Sequence, residues 1–505
     1  MKIILKLLLV SSLAFLLSIS EKKDLSWIEP SSDQVLPELI TYPNSYGKLE
    51  ILNADGPVQL KNHPFFEPIG SNGRACVSCH QPSNAMSVSV ENLQKRWEET
   101  HGKDPVFAAV DGSNNPKLPQ ELKSSHSLLL NRGLFRIGLS WPPKPDNGVP
   151  VKPEFTIEVV SDPTGANSDP DFGLKGKEPS ISVYRRPRVV GNMKYVMSPD
   201  PRFNIKTGTL AVTDPETGLV VGMNMMADSR HYTQKAQAID AYHGHLQGHT
   251  FLTPSEQKQI VDFENQLYLA QSHDPWGSPL VENGKPEGLG AKAMKEGKVH
   301  VLANNNRDPI FHWFKTWENP ETMSKDLTKE QKEFRQSVAR GNDIFMFRPF
   351  WINDVTHINS IGLANPLRRT CSTCHNGQMT AQDIAPGWVD LGTTNYPNWT
   401  ENRIFNQKTD LPVFKCTCSP SADPHPYLGR VVYTTDPGRA LISGKCKDIG
   451  SIVMQQFRGL AARAPYFANG SAKNLMEVVD YYDRRFNMKL ADQEKKDLVN
   501  FLSSL

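Results

Sequence analysis

Apolar residues recur at helical spacing in four stretches of this chain and in short extended runs in two others. Thr253-Pro254-Ser255-Glu256 is a capping box with proline at the first helical position, and Ile260, Phe263 and Leu267 then fall on one face. Thr328 and Gln331 repeat the capping logic ahead of Phe334 and Val338. Leu475, Val478, Val479 and Tyr482 share one face of a third predicted helix, with Tyr482 turned inward. Leu498, Phe501, Leu502 and Leu505 form the stripe of a C-terminal one. Ahead of all four, 104–225 is rich in Pro, Gly, Asp and Asn and carries β-like runs at 155–160 and 181–184. The first twenty residues differ from all of this. Lys2 and Lys6 precede a short apolar run from Leu7 to Leu17, and Ser18-Ile19-Ser20 follows, before Glu21. That order predicts a cleaved signal peptide rather than a retained anchor, since the run is short for a bilayer span.

Composition adds exclusions. With 38% hydrophobic and 22% charged residues, wholesale disorder, a collagen-like chain and a multi-span membrane protein are excluded. The net charge is +2, and removing Lys2 and Lys6 with the leader leaves none. A neutral chain carries no footprint for nucleic acid and no strong docking field for a charged partner. The mature protein is expected to be periplasmic or secreted and not an integral membrane protein.

Seven cysteines carry the chemistry. Cys76-Val-Ser-Cys79-His80 and Cys371-Ser-Thr-Cys374-His375 are two copies of C-x-x-C-H, the attachment site of c-type haem. Two thiols three residues apart can form thioethers with the two vinyl groups of one porphyrin, and the adjacent His can ligate the iron. Chance would supply only about 0.003 copies in a chain with this much Cys and His. A zinc ribbon needs its Cys pairs about 15–20 residues apart, and a dithiol redox motif needs a βαβ context; neither is present. Cys416, Cys418 and Cys446 remain. An exported chain pairs two of the three, and since Cys416 and Cys418 are poorly placed to bond each other, one bridges to Cys446, with Cys418 preferred. A copper-binding C-x-C is the alternative.

Each haem motif follows an aromatic lead-in, Pro64-Phe65-Phe66 for the first and Phe345 to Phe350 for the second. The expected fold is mainly α, with two cytochrome c-like haem domains packed together and a partly β insertion in the first. The expected division is a signal peptide at 1–20, an N-terminal haem domain at 21–103 and 226–320 interrupted by the insertion at 104–225, and a C-terminal haem domain at 321–505.

A longer block, Arg458 to Ser471 followed by Leu475 to Tyr482, resembles the "arginine, ala-pro-tyr-phe-his-asn-gly-ser, val-val, tyrosine" block of bacterial di-haem cytochrome c peroxidases. It is also similar to that of their relatives, the di-haem oxidases that mature tryptophan-derived quinone cofactors and the rubber oxygenases. Tyr184 to Pro187, Met226 to Arg230, and Gln237-Ala238 with His245 look like the same superfamily's "trp-asp-gly-arg … gln-ala" segment. The resemblance covers about 50–100 and 184–505. It implies a reactive haem with His80 as proximal ligand, a relay haem with His375 as proximal ligand, and Tyr482 as the relay's sixth ligand, Met476 and Met488 being the fallbacks. It also implies a calcium ion between domains.

At the reactive haem, peroxide cleavage needs a group that moves a proton from the near oxygen to the far one. The peroxidases use a Gln and a Glu ten residues apart. Gln237 matches the first, but ten residues on stands Gln247, which is no acid. His245, titratable near neutrality, is therefore the expected acid/base, with Gln237 orienting and Asp228 and Arg230 holding the pocket. A metal site at His243, His245 and His249 is the alternative. Two departures from the family stand out: the inter-haem tryptophan position is Ala227, and the histidine of the Pro-Tyr-Phe block is Ala468. The expected function is reduction of hydrogen peroxide with electrons from a small cytochrome c or cupredoxin. The alternatives are oxidation of an organic or protein substrate and plain electron transfer.

Overall fold

The computed structural model describes residues 25–144, 150–197, 224–297, 313–356, 365–375, 388–396 and 409–505. The predicted signal peptide at 1–20 lies outside them. Among the described residues there are ten α-helices, fifteen β-strands and six sheets. Of these residues 32% are helical and 19% are strand, which overturns the expectation of a mainly α pair of cytochrome c-like domains. The fold is mixed α and β.

The reason lies in local chemistry. Neither haem motif opens a long helix within the described residues; each occupies a single 3₁₀ turn, Cys76–Ser78 and Cys371–Thr373. The N-terminal motif is backed by a three-stranded antiparallel sheet of β2 (Leu39–Asn44), β3 (Gly47–Asn53) and β8 (Leu267–His273). Helix α5 (Pro254–Gln266) begins at the expected capping box, with Thr253 accepting from Glu256 N, but it ends one residue before Leu267. Leu267 is extended and starts β8, so the apolar stripe continues into a strand.

The three largest apolar cores among the described residues are these. In the first, Phe65, Phe66 and Phe263 meet with ring centroids 4.6–5.2 Å apart beside Val77 and Leu269. The second joins α7 (Lys329–Phe347), α9 (Leu475–Phe486) and α10 (Asp492–Ser503) through Phe345, Val479, Leu498 and Leu502. Gly341 lets α7 and α10 touch, since a Cβ there would lie 2.0 Å from the Asp497 carbonyl oxygen. The third core fills a four-stranded sheet ordered β12 (Asn395–Tyr396), β14 (Val431–Thr434), β13 (Val413–Cys418), β6 (Phe155–Ser161). Strand β6 thus pairs with a strand more than two hundred residues later, Cys416 opposite Ile157 and Cys418 opposite Phe155. Cys418 and Cys446 are bonded beside this sheet, and Cys416 is a buried free thiol. Among the described residues no helix is long and apolar enough to cross a membrane.

Candidate functional site

The first C-x-x-C-H turn is pinned by Gln81, which is fully buried. Its side-chain amide donates to Val77 O at 2.8 Å and Ile28 O at 2.9 Å, and accepts from Ile28 N at 2.8 Å. Ala85 and Met86 both take positive φ, and the backbone there presents Met86 O to His80 Nδ1 at 2.9 Å. That bond makes Nδ1 the donor and leaves Nε2 with its lone pair free for a metal. Burial lowers the His80 pKa to about 4, so the imidazole is neutral, the form that ligates iron.

His80 looks into a cavity of about 1140 Å³. Its walls come from the end of β7 (Ser180–Arg185) and the residues after it, from α4 (Gln234–His245), and from Met454 to Gln456. Gln237 and His245, eight residues apart on α4 and expected to face one pocket, both line it. His245 Nδ1 lies 2.6 Å from Asp111 Oδ2, and Asp111 Oδ1 pairs with Arg74. Arg74 is fully buried and donates Nε to Pro105 O at 2.7 Å and Nη2 to Val106 O at 2.5 Å. Burial alone would raise the Asp111 pKa, but the Arg74 charge and His245 hold it below the usual carboxylate range. A fixed anion behind Nδ1 makes that nitrogen the donor and leaves Nε2 to face the cavity.

Asp228 is fully buried, 2.5 Å from Arg185 Nη1 and 3.1 Å from Arg230 Nη1. Against the cost of burial, Arg230 and Arg185 hold its carboxyl well below the ordinary range. Asp228 is absent from the cavity wall, whereas Arg230 is on it. His243 points elsewhere, bonding Gly248 O at 2.9 Å, and among the described residues no three His, Cys, Asp or Glu groups converge on a metal position.

Sequence reasoning missed Asp111, Arg74 and Glu264. Asp111 is 134 residues from His245 and inside the stretch read as an insertion, so no spacing announces it. Glu264 is a buried acid on the wall of the same cavity, its carboxyl pushed up to about 7 by desolvation. The only signal for it in the chain is an acid at the end of an amphipathic helix, which is ordinary.

His375 lies in a second cavity of about 780 Å³ that is almost wholly apolar. Its ring packs tilted against Phe457, centroids 4.4 Å apart, and burial lowers its pKa to about 4. Among the described residues its buried Nδ1 has no hydrogen-bond partner. Tyr482 lines this cavity, as does Met488; Met476 does not. Burial, then the Cys374 and Cys371 thiols, push the Tyr482 phenol above its ordinary range. Met454 lines both cavities.

These surroundings fit a haem at each motif. Burial pushes the Cys76, Cys79 and Cys371 thiols up to about 12. The two thiols and the imidazole of each motif do not converge on one point, as a zinc site requires and as ring attachment at two edges does not. Each neutral imidazole, meanwhile, borders a cavity lined by side chains from several elements.

No family model matches the chain. Over 146 residues it is 27% identical to the cytochrome-c peroxidase IdrP1 of Pseudomonas sp. (strain SCT). The aligned stretch is 27% of this chain and 36% of that protein, so the chain spans about a third of the length of the relative it matches. This is a distant similarity to a cytochrome-c peroxidase.

Proposed function

We propose that the chain is an exported c-type di-haem oxidoreductase that reduces hydrogen peroxide in the cavity of His80. The observation that carries this reading is the placement of His245, backed by Asp111 at 2.6 Å, on the wall of the cavity that His80 borders. Cys76, Cys79 and His80 would hold one haem, and Cys371, Cys374 and His375 the other. When bound, these haems supply the iron that receives peroxide and the path for electrons from a small cytochrome c or cupredoxin. Reduction consumes two electrons and two protons and releases two waters. His245 Nε2 takes the proton of the near oxygen and delivers it to the far one, which makes the departing oxygen a neutral water. Asp111 keeps that nitrogen free to accept and stabilises the imidazolium between the two transfers. Gln237 orients the peroxide, and Arg230 with Asp228 holds the wall.

A second reading is favoured by Tyr482. Its hydroxyl has no hydrogen bond among the described residues and borders the His375 cavity. A phenol ligand stabilises ferric iron relative to a thioether, which suits oxidation of an organic or protein substrate.

The test is peroxide consumption by the purified holoprotein after one-electron reduction, with ferrocytochrome c as sole donor. Rapid consumption with donor oxidation is expected. No turnover but a persistent spectral change after peroxide moves the assignment to the second reading, and no spectral response leaves an electron carrier.

A further inference from the structure

Outside the His80 cavity lies a second chamber of about 1170 Å³ that no step above uses. Asp111, Ile137, Arg230 and His245 line both, so these four residues form the neck between them. One side of the outer chamber is apolar, built from Leu139 and Pro143 and, across from another part of the chain, Leu441 and Ile442. The other side carries charge. Its two carboxylates are already paired, Asp111 with Arg74 and His245, and Asp240 with Arg230 at 3.0 Å and His231 at 3.3 Å.

Arg136 is different. Among the described residues no carboxylate lies within ion-pair distance of it. Its guanidinium donates Nε and Nη2 to Val110 O, at 3.2 and 2.5 Å, and Nη1 to Ser182 Oγ at 3.0 Å. Each terminal nitrogen therefore keeps a second N–H, and the group is fixed over the Phe172 ring at 5.4 Å. Burial, outweighing the nearby Tyr184 and Asp111, lowers its pKa, as expected for a desolvated cation without a counter-charge. Lys144, exposed, adds a second cation to the same chamber.

We infer that the outer chamber is a binding site for a small organic carboxylate, its anionic end on Arg136 and its apolar body against Leu139, Leu441 and Ile442. A guanidinium fork with free N–H directions matches a carboxylate's two oxygens, and a wall half apolar selects a molecule with a carbon body over a bare oxyanion. The inference deepens the proposed function by naming the class of molecule that approaches the same cavity past His245. Binding itself does not depend on peroxide turnover.

The experiment is calorimetric titration of the ferric holoprotein with benzoate, with inorganic phosphate and benzyl alcohol as comparisons. One saturable benzoate site is expected, with phosphate and benzyl alcohol each binding at least about tenfold more weakly. Arg136→Gln should weaken benzoate by about tenfold or more, because a charged hydrogen-bonding partner is lost. Ile442→Glu, at a half-buried wall position, should do the same by repulsion and serves if Arg136→Gln misfolds, as judged by the haem spectrum and circular dichroism. No saturable benzoate binding, equal binding of phosphate or benzyl alcohol, or unchanged affinity in both variants would overturn the site. Benzoate binding without peroxide turnover removes the peroxidase reading and leaves the site standing; turnover without benzoate binding does the reverse.

Discussion

His245 can act as a base only as far as Asp111 holds its ring. The carboxylate at 2.6 Å fixes the tautomer, and Arg74 fixes the carboxylate. His245→Ala should therefore lower peroxide turnover by about 10²–10⁴-fold, the usual worth of one acid–base group. Asp111→Asn, which keeps the shape and removes the charge, should cost about 10–100-fold and shift the pH profile, a change that a packing role would not produce. Equal rates for Asp111→Asn and the wild type would remove the dyad from the mechanism. Glu264 supplies a second test with a different readout. Its folded pKa is about 7 against an ordinary 4.5, so between those values the folded state keeps a proton that the unfolded state has lost. Stability must fall as pH rises through that window, by about 3 kcal/mol once pH exceeds 7. Glu264→Gln lacks the titration. Denaturant unfolding at pH 5 and pH 8 should show a loss in the wild type that the variant does not share, and parallel losses would contradict the raised value.

At the scale of elements, the site depends on how α4 ends. Ser71 N donates to Leu246 O at 3.0 Å, and Asn72 Nδ2 donates to His245 O at 2.8 Å, so the end of α4 lies directly on the segment leading to Cys76. Gly70 permits that approach: a Cβ there would stand 1.8 Å from Leu246 O, a backbone atom that cannot swing aside. Gly70→Ala should destabilise the protein by about 1–3 kcal/mol and lower turnover while leaving both haems attached, since neither motif is altered. A normal pyridine haemochrome count with reduced peroxide consumption would be the expected pair of results; unchanged stability would mean the segments part easily. What was legible in the sequence at this scale was whatever is written locally. The capping boxes at Thr253 and Thr328 stand where expected because each is closed by residues three apart. The two C-x-x-C-H turns stand out for the same reason, each being contained in five consecutive residues. The end of α5 could not, because Leu267 fits a helix face and a buried strand equally well, and its pairing with Asn53 on β3 decided between them.

Across the whole molecule, the features hidden from sequence are the long-range ones. Strand β6 pairs with β13, Asp111 meets His245, and Arg185 joins Asp228 to Asp436, and none of these leaves a periodic trace. Arg185 shows what such a link does. Its Nη1 holds Asp228, which sets Arg230 on the first cavity's wall, and its Nε and Nη2 hold Asp436 at 2.6 and 2.9 Å, just past β14 of the four-stranded sheet. All three side chains are almost fully buried. Replacing such an ion network with well-packed apolar groups can be neutral, but removing only the cation leaves buried carboxylates behind. Arg185→Met should accordingly cost about 3–5 kcal/mol at pH 7. Asp436 is then left without a cation among the described residues, while Asp228 retains Arg230 at 3.1 Å. An unpaired buried carboxyl has a raised pKa, so the variant takes up a proton as pH falls and is relieved of the charge. The gap between variant and wild type should therefore narrow toward acid, because the pairing that stabilises the wild type is present above pH 3.8 and fades only as Asp228 titrates well below it. Unfolding measured at pH 7 and pH 4 checks both parts. A gap that stays constant over that range would mean that Arg185 acts through packing alone, and the two parts of the molecule would then be joined by shape rather than by charge.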